Sequence, residues 1–377
     1  MINDAQSSLI DQKLQVSNNE QKIPDKKRKI WIIITSFFIV AIFGVAFYYL
    51  VIKKNDEGRN SFSENISILP VQSLTPTPFP FIELTIPYLR ERSYESSLSD
   101  LQQTSSNSNY ISYLTSYDSD GFKVNGLLTK PAVEMPKGGF PATVFVHGYI
   151  SPANYSTLTS YSSYVDFLAK NGFVVFKIDL RGHADSEGEA GGGYFGSDYI
   201  IDVLNARSAL ANSDFVNPEK VGVWGHSMAG NIALRSMVSS DVPAVVIWAG
   251  AVYTYDDRVK YGINDSSFSI SQLSPSRSSK RQELFEKYGS PSAQSVFWQK
   301  VIPTNYLHDT KGAIQMHHAV DDNVVNIGYS RDLMEILDKT PIVHELHEYK
   351  NGGHNLMGSG FTQAMERTVE FFKNYLK

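Results

Sequence analysis

Short, continuously apolar runs recur from Ala142 onward, at Ala142–Val146, Phe173–Ile178, Val221–Trp224, Ala244–Trp248 and Ala313–Met316. Each is bounded by Gly, Pro or polar turns. Continuous rather than alternating hydrophobicity in so short a run fits strands buried on both faces, as in a parallel sheet. Helical patterns lie between them, at Tyr155–Lys170, Tyr199–Ala211, Ala229–Val238, Tyr329–Asp338 and Phe361–Leu376. Strand and helix in alternation predict a doubly wound α/β domain with helices on both faces of a mostly parallel sheet. Upstream, Tyr110–Tyr117 and Phe122–Leu128 flank Asp118-Ser119-Asp120-Gly121 and predict a hairpin. That acidic turn lacks the closing Glu of a calcium loop. Ala251 to His308 is long, Ser-rich and aromatic, and predicts a helical insertion or lid between two core strands.

The beginning of the chain has a different character. Ile30 to Ile52 carries no charged residue and matches the roughly 20 residues that cross a bilayer. Lys26, Lys27, Arg28 and Lys29 precede it, with Lys53, Lys54 and Arg59 after it. The basic excess on the N-terminal side predicts a single-pass cell-membrane anchor, N-terminus cytoplasmic and the remainder extracytoplasmic. The stretch is too long for a cleaved signal peptide and no small-x-small site follows. The expected organisation is a cytoplasmic tail at 1–29, the transmembrane helix at 30–52, a Pro/Ser-rich spacer at 53–80, and a globular domain over 81–377. The formal charge of -5 and the scattered basic residues disfavour nucleic acid as a partner. With no cysteine, disulfides, thiolate catalysis and cysteine-ligated metal sites are excluded.

Gly225-His226-Ser227-Met228-Ala229-Gly230 follows directly on Val221–Trp224 and opens a helix. A strand–turn–helix corner of this kind exposes a strained serine at a strand's C-terminal end, with small residues where the two elements meet. Ser227 is therefore the candidate nucleophile. It needs a base, and the base needs an orienting acid. His354 lies in Asn351-Gly352-Gly353-His354-Asn355, after the strand-like run Val343–Tyr349 and before the last helix, and is the expected base. The neighbouring His344-Glu345-Leu346-His347 is one residue short of a zinc motif and reads as surface. The acid falls in the loop after Ala313–Met316, which offers Asp321 and Asp322. His317 and His318, just before it, read as structural. Backbone donors for an oxyanion are expected from Met228 N–H and from Tyr149 N–H, in the loop His147-Gly148-Tyr149. Asp179-Leu180-Arg181-Gly182-His183 reads as a hydrogen-bonded loop bracing the site. Gly188–Gly193 is no phosphate loop, since no Gly-Lys-Ser/Thr follows.

These blocks together resemble the α/β-hydrolase superfamily, specifically the catalytic domain of prolyl-oligopeptidase-type serine peptidases and their dienelactone-hydrolase-like relatives. The resemblance covers about Phe81 to Lys377. It implies an α/β-hydrolase fold with Ser227 as nucleophile and His354 as base, and it places the acid first of the pair, on Asp321. It also implies hydrolysis of a small ester, amide or short peptide without metal or organic cofactor, esters slightly favoured. Two departures stand out: Ala229 where the family usually has Gly, and His317-His318 where it typically has His-Gly. The gating propeller of the large peptidases has no room before the domain. A silent binding module on the same fold would lack a triad member, and none is missing.

Overall fold

The computed structural model describes residues 80–376. The expected tail, the apolar segment Ile30–Ile52 and nearly all of the spacer lie outside the described residues. Among those described, no helix is long and apolar enough to cross a membrane.

Among the described residues nine strands form one sheet: β1 (Gln102–Ser106), β2 (Tyr110–Ser119), β3 (Phe122–Pro131), β4 (Phe140–Val146), β5 (Val174–Ile178), β6 (Val216–His226), β7 (Ala244–Trp248), β8 (Ala313–Ala319) and β9 (Val343–Tyr349). Their spatial order is β1-β2-β3-β5-β4-β6-β7-β8-β9. The first strands pair antiparallel and everything from β5 to the β9 edge is parallel. The β2–β3 hairpin closes on Asp120 and Gly121, both at positive φ, with Ser119 opposite Phe122. That backbone is the tight turn whose twist suits a hairpin. β1 was not anticipated: its sequence Gln-Gln-Thr-Ser-Ser is exposed throughout and offers no apolar period to read.

Alternate residues of the buried strands enter opposite cores. Val221 and Val223 of β6, with Val245 and Ile247 of β7, pack on one face with α1 (Ile86–Glu91), α3 (Asp198–Ala211), α4 (Met228–Ser239) and α8 (Gly328–Leu337). Trp224, Val246 and Trp248 pack on the other with α2 (Ser162–Lys170) and α9 (Ser359–Tyr375). Trp224 is fully buried and stacks on Phe145, with ring centroids 4.1 Å apart. These are the expected layers. Residues 251–308 do form a helical excursion, with α5 (Tyr255–Tyr261), α6 (Pro275–Tyr288) and α7 (Val296–Val301), a short 3-10 turn at Ile270–Gln272 between the first two and a 3-10 segment at Pro303–Asp309 after the last.

The helix expected from Tyr155 begins only at Ser162. The intervening hydroxyls are engaged elsewhere: Tyr155 and Thr157 both donate to Asp179, and Ser156 and Ser160 bond one another's backbone and side chain locally. Such side-chain bonds compete with helix formation. Tyr161, at φ 58, then turns the chain into α2.

Several histidines are buried at or just beyond the C-terminal ends of the strands. Burial, and then neighbouring histidines, push His147 and His226 down to about 3, and His317 lies well below its ordinary value for the same reasons. As pH falls below about 6.5 the unfolded chain protonates these imidazoles while the folded chain does not, so unfolding takes up protons and stability drops. Asp179 acts in the opposite sense, since burial raises its carboxyl to about 6 and the folded state gains a proton there first. The histidines outnumber it. Chemical denaturation is therefore expected to show a net stability loss of about 4 kcal/mol between pH 7 and pH 5; a flat or rising curve would contradict their burial as neutral groups.

Candidate active site

β6 runs into α4 through a single residue, Ser227, held at φ 56 and ψ -119. Crowding dictates this corner. A Cβ on Gly225 would sit 2.6 Å from the carbonyl oxygen of Ala229, and one on Gly230 would sit 2.6 Å from the Cα of Gly250. Glycine is thus required at 225 and 230, whereas the methyl group of Ala229 is accommodated. The departure at Ala229 costs the corner nothing.

Ser227 Oγ lies 2.9 Å from His354 Nε2. The other ring nitrogen, Nδ1, lies 2.8 Å from Asp322 Oδ2. The expectation that Asp321 would hold the histidine is corrected here. Asp321 is exposed and accepts instead from the backbone N–H groups of Gly353 at 2.9 Å and Gly352 at 3.3 Å, so it fastens the loop that carries His354. The physical reason is the turn after β8. Asp322 N–H bonds back to the Ala319 carbonyl, and Asp322 Oδ1 accepts from Val324 and Val325 N–H at 2.8 and 3.0 Å. These bonds point the second carboxylate inward and leave the first outside.

The Asp322 side chain is completely buried. Burial by itself would raise its carboxyl, but hydrogen bonds from His318 and His354, the charge of His354 and the Val325 N–H outweigh it and hold the group well below the usual carboxylate range. His318 is a partner the sequence reading missed. Its Nε2 lies 3.2 Å from Asp322 Oδ2 and 2.9 Å from the Val325 carbonyl, while Nδ1 meets Ser330 Oγ at 2.7 Å. Its place in the strand leading to the acid was the available signal. His317, by contrast, bonds Tyr349 and Gln315 in the core, as a structural residue would.

A second relay joins the loops behind the serine. His226 Nε2 lies 2.9 Å from the carbonyl of His354 and must be the donor. The neutral ring then accepts at Nδ1 from Tyr161 OH, 2.7 Å away, and Tyr161 accepts from Gly148 N–H at 3.0 Å. The loops bearing Tyr149, Ser227 and His354 are thereby tied together. Gly148 N–H is consumed in this bond, while Tyr149 N–H has no partner among the described residues. Met228 opens α4, where the first N–H groups lack intrahelical acceptors. Asp179–His183 braces the site: Arg181 pairs with buried Asp202 at 2.6 Å and His183 Nε2 lies 3.2 Å from the Ile150 carbonyl. His344 and His347 stay on the β9 edge beside Asp338 and Glu345. Among the described residues, no cluster of three or more His, Asp or Glu is placed to hold a metal ion.

Gly148, Tyr149, Ser227 and His354 open into a cavity of about 690 Å³ that also includes Tyr161, Tyr164, Phe361 and Asp265. A polar nucleophile–base pair in a cleft lined partly by apolar and aromatic side chains is the usual form of a small-molecule site. The arrangement fits acyl transfer to a serine hydroxyl.

Comparison with known proteins agrees. A family model described as "Serine aminopeptidase, S33" matches residues 141–283. Acetyl xylan esterase from Paenibacillus sp. R4 is similar over 77% of this chain and 92% of its own, at 17% identity and a TM-score of 0.54. A puromycin-hydrolyzing peptidase from Mycobacterium tuberculosis is similar over 72% of this chain and 40% of its own, at 18% identity and a TM-score of 0.54. The acylaminoacyl peptidase of Pyrococcus horikoshii is similar over 71% of this chain and 42% of its own, at 18% identity and a TM-score of 0.53. At such identities the likeness to solved structures is one of fold. With the mostly parallel sheet, the strained serine corner and the family model matched over residues 141–283, the chain has the α/β-hydrolase fold and the serine corner of a serine hydrolase.

Proposed function

We propose that this chain is a membrane-anchored hydrolase that cleaves an ester or amide through an acyl-enzyme on Ser227, with esters the foremost substrates. The observation that carries the reading is the continuous line from Ser227 Oγ through His354 to Asp322, at 2.9 and 2.8 Å, opening on the aromatic cleft. His354 Nε2 takes the Ser227 proton as Oγ attacks the carbonyl carbon. Tyr149 and Met228 N–H receive the negative charge that develops on the carbonyl oxygen. His354 then returns the proton to the departing alkoxide or amine. Water repeats the sequence on the acyl-enzyme, so one ester or amide and one water give one acid and one alcohol or amine. The ionised Asp322 stabilises the imidazolium formed in each half-reaction and keeps Nδ1 protonated between them.

Esters are put first because the likeness spans 92% of the acetyl xylan esterase, against 40% and 42% of the two peptidases. An anchor at Ile30–Ile52 is supported by its length, its lack of charge and the basic cluster before it.

Two experiments test this. A fluorophosphonate probe is expected to label the full chain and to fail on Ser227→Ala. In the same assay with a nitrophenyl ester, Asp322→Asn should lower turnover by about 10⁴-fold, as removal of an orienting acid does, while Asp321→Asn should cost far less. A larger loss in Asp321→Asn would reverse the acid assignment, and persistent labelling of Ser227→Ala would remove the nucleophile. Separately, the full chain expressed in bacteria should pellet with membranes, resist carbonate wash and be released by detergent; recovery in the soluble fraction would refute the anchor.

A further inference from the structure

The cavity around Ser227 is lined by tyrosines, serines, a phenylalanine and glycines, and by one Asp, Glu, Lys or Arg side chain, that of Asp265. The two histidines that share the lining do not supply a standing positive charge by geometry: His226 is neutral, fixed between a carbonyl and a hydroxyl donor. His354 is the base.

Asp265 is supplied by the insertion, on a strap held at both ends. At its start, Asn264 N–H donates to the Val324 carbonyl at 2.9 Å, and Asn264 Nδ2 donates to the Asn323 carbonyl at 3.1 Å. Both acceptors belong to the loop of the acid. Farther along, Gln272 Oε1 accepts from Tyr149 OH at 2.9 Å, and Phe268 meets the Tyr149 ring edge-on with centroids 5.2 Å apart. The strap therefore reaches from the Asp322 loop to the Tyr149 loop and carries Asp265 between them. Its carboxylate is also fixed. Oδ1 accepts from the Ser267 backbone N–H at 2.9 Å and from Ser267 Oγ.

No ion pair engages Asp265 among the described residues. Its charge is felt within the cleft, where burial and then Asp265 raise the Tyr149 hydroxyl above its ordinary value. A fixed, uncompensated carboxylate beside aromatic faces attracts an organic cation and repels an anion, because ring faces and carboxylate are both negative toward the approaching group.

We propose that Asp265 is a specificity determinant that selects esters or amides bearing an ammonium group on the part of the substrate lodged in this cavity. The inference rests on the hydrolase reading and names its substrate class. Selection acts through binding and orientation, and Asp265 takes no proton in the reaction.

The test uses the full chain and three p-nitrophenyl esters with matched acyl chains ending in a methyl, a trimethylammonium or a carboxylate group. In the wild type, kcat/KM should favour the trimethylammonium ester over the methyl ester by about tenfold, the scale of one partly desolvated cation–π or cation–carboxylate contact, and should disfavour the carboxylate ester. Asp265→Asn should bring the cation-to-neutral ratio close to one, and Asp265→Lys should invert the order. Raising the salt from about 0.1 M to about 1 M, which shortens the screening length from about 10 to about 3 Å, should shrink the wild-type ratio. Thermal unfolding of each variant establishes that folded chains are compared. Ratios unmoved by both substitutions would overturn the proposal while fluorophosphonate labelling of Ser227 left the hydrolase reading intact. Absence of that labelling would overturn the hydrolase reading and this inference with it.

Discussion

The close approach of β6 and α4 is the constraint on which the rest of the site depends. Gly225 and Gly230 allow the two elements to touch, and Ser227 alone must absorb the change of direction at φ 56. Strain of this kind persists only where surrounding packing over-determines it. Here the packing is the buried end of β6, Val221–His226, on one side and the entirely buried helix on the other. The hydroxyl is thus presented at the sheet's C-terminal edge, with the start of a helix beside it to receive negative charge.

Around that corner the protein divides labour between adjacent residues of like chemistry. Asp322 is buried, receives hydrogen bonds from two backbone N–H groups and two histidines, and stays ionised against its burial. Asp321, one residue earlier, spends its carboxylate on the Gly352 and Gly353 backbone. The glycines make that contact feasible, and it holds the loop from which His354 reaches both partners. His226 and Tyr161 serve the opposite side, binding the same loop through the His354 carbonyl and the Tyr149 loop through Gly148. His354, Ser227 and the Tyr149 loop are thus held in place by hydrogen bonds that do not involve Ser227 Oγ.

Much of this was legible in the residues. Buried parallel strands announce themselves as continuous apolar runs, so the layers around β4 to β8 were readable, and the glycine–serine corner carried its own geometry. That His354 would lie beside Ser227 was readable from its loop. What escaped was decided by hydrogen bonding rather than by pattern. Asp321 and Asp322 differ only in which way a turn points them, and that turn is set by Val324 and Val325 N–H groups with no signature in side-chain chemistry. The late start of α2 likewise follows from hydroxyls recruited by the distant Asp179. β1 was silent because an exposed polar strand has no apolar period. The strap bearing Asp265 lay inside a region read as an insertion, but its path across the cleft depends on contacts remote in sequence.

A crystal structure of the phosphonylated protein would show whether Ser227, His354 and Asp322 act as one relay with Tyr149 and Met228 as its anion donors. Phosphorus should be bonded to Ser227 Oγ, with one phosphonyl oxygen within about 3 Å of both N–H groups and His354 Nδ1 still on Asp322. An adduct with that oxygen turned to solvent, or with His354 paired to Asp321, would contradict it.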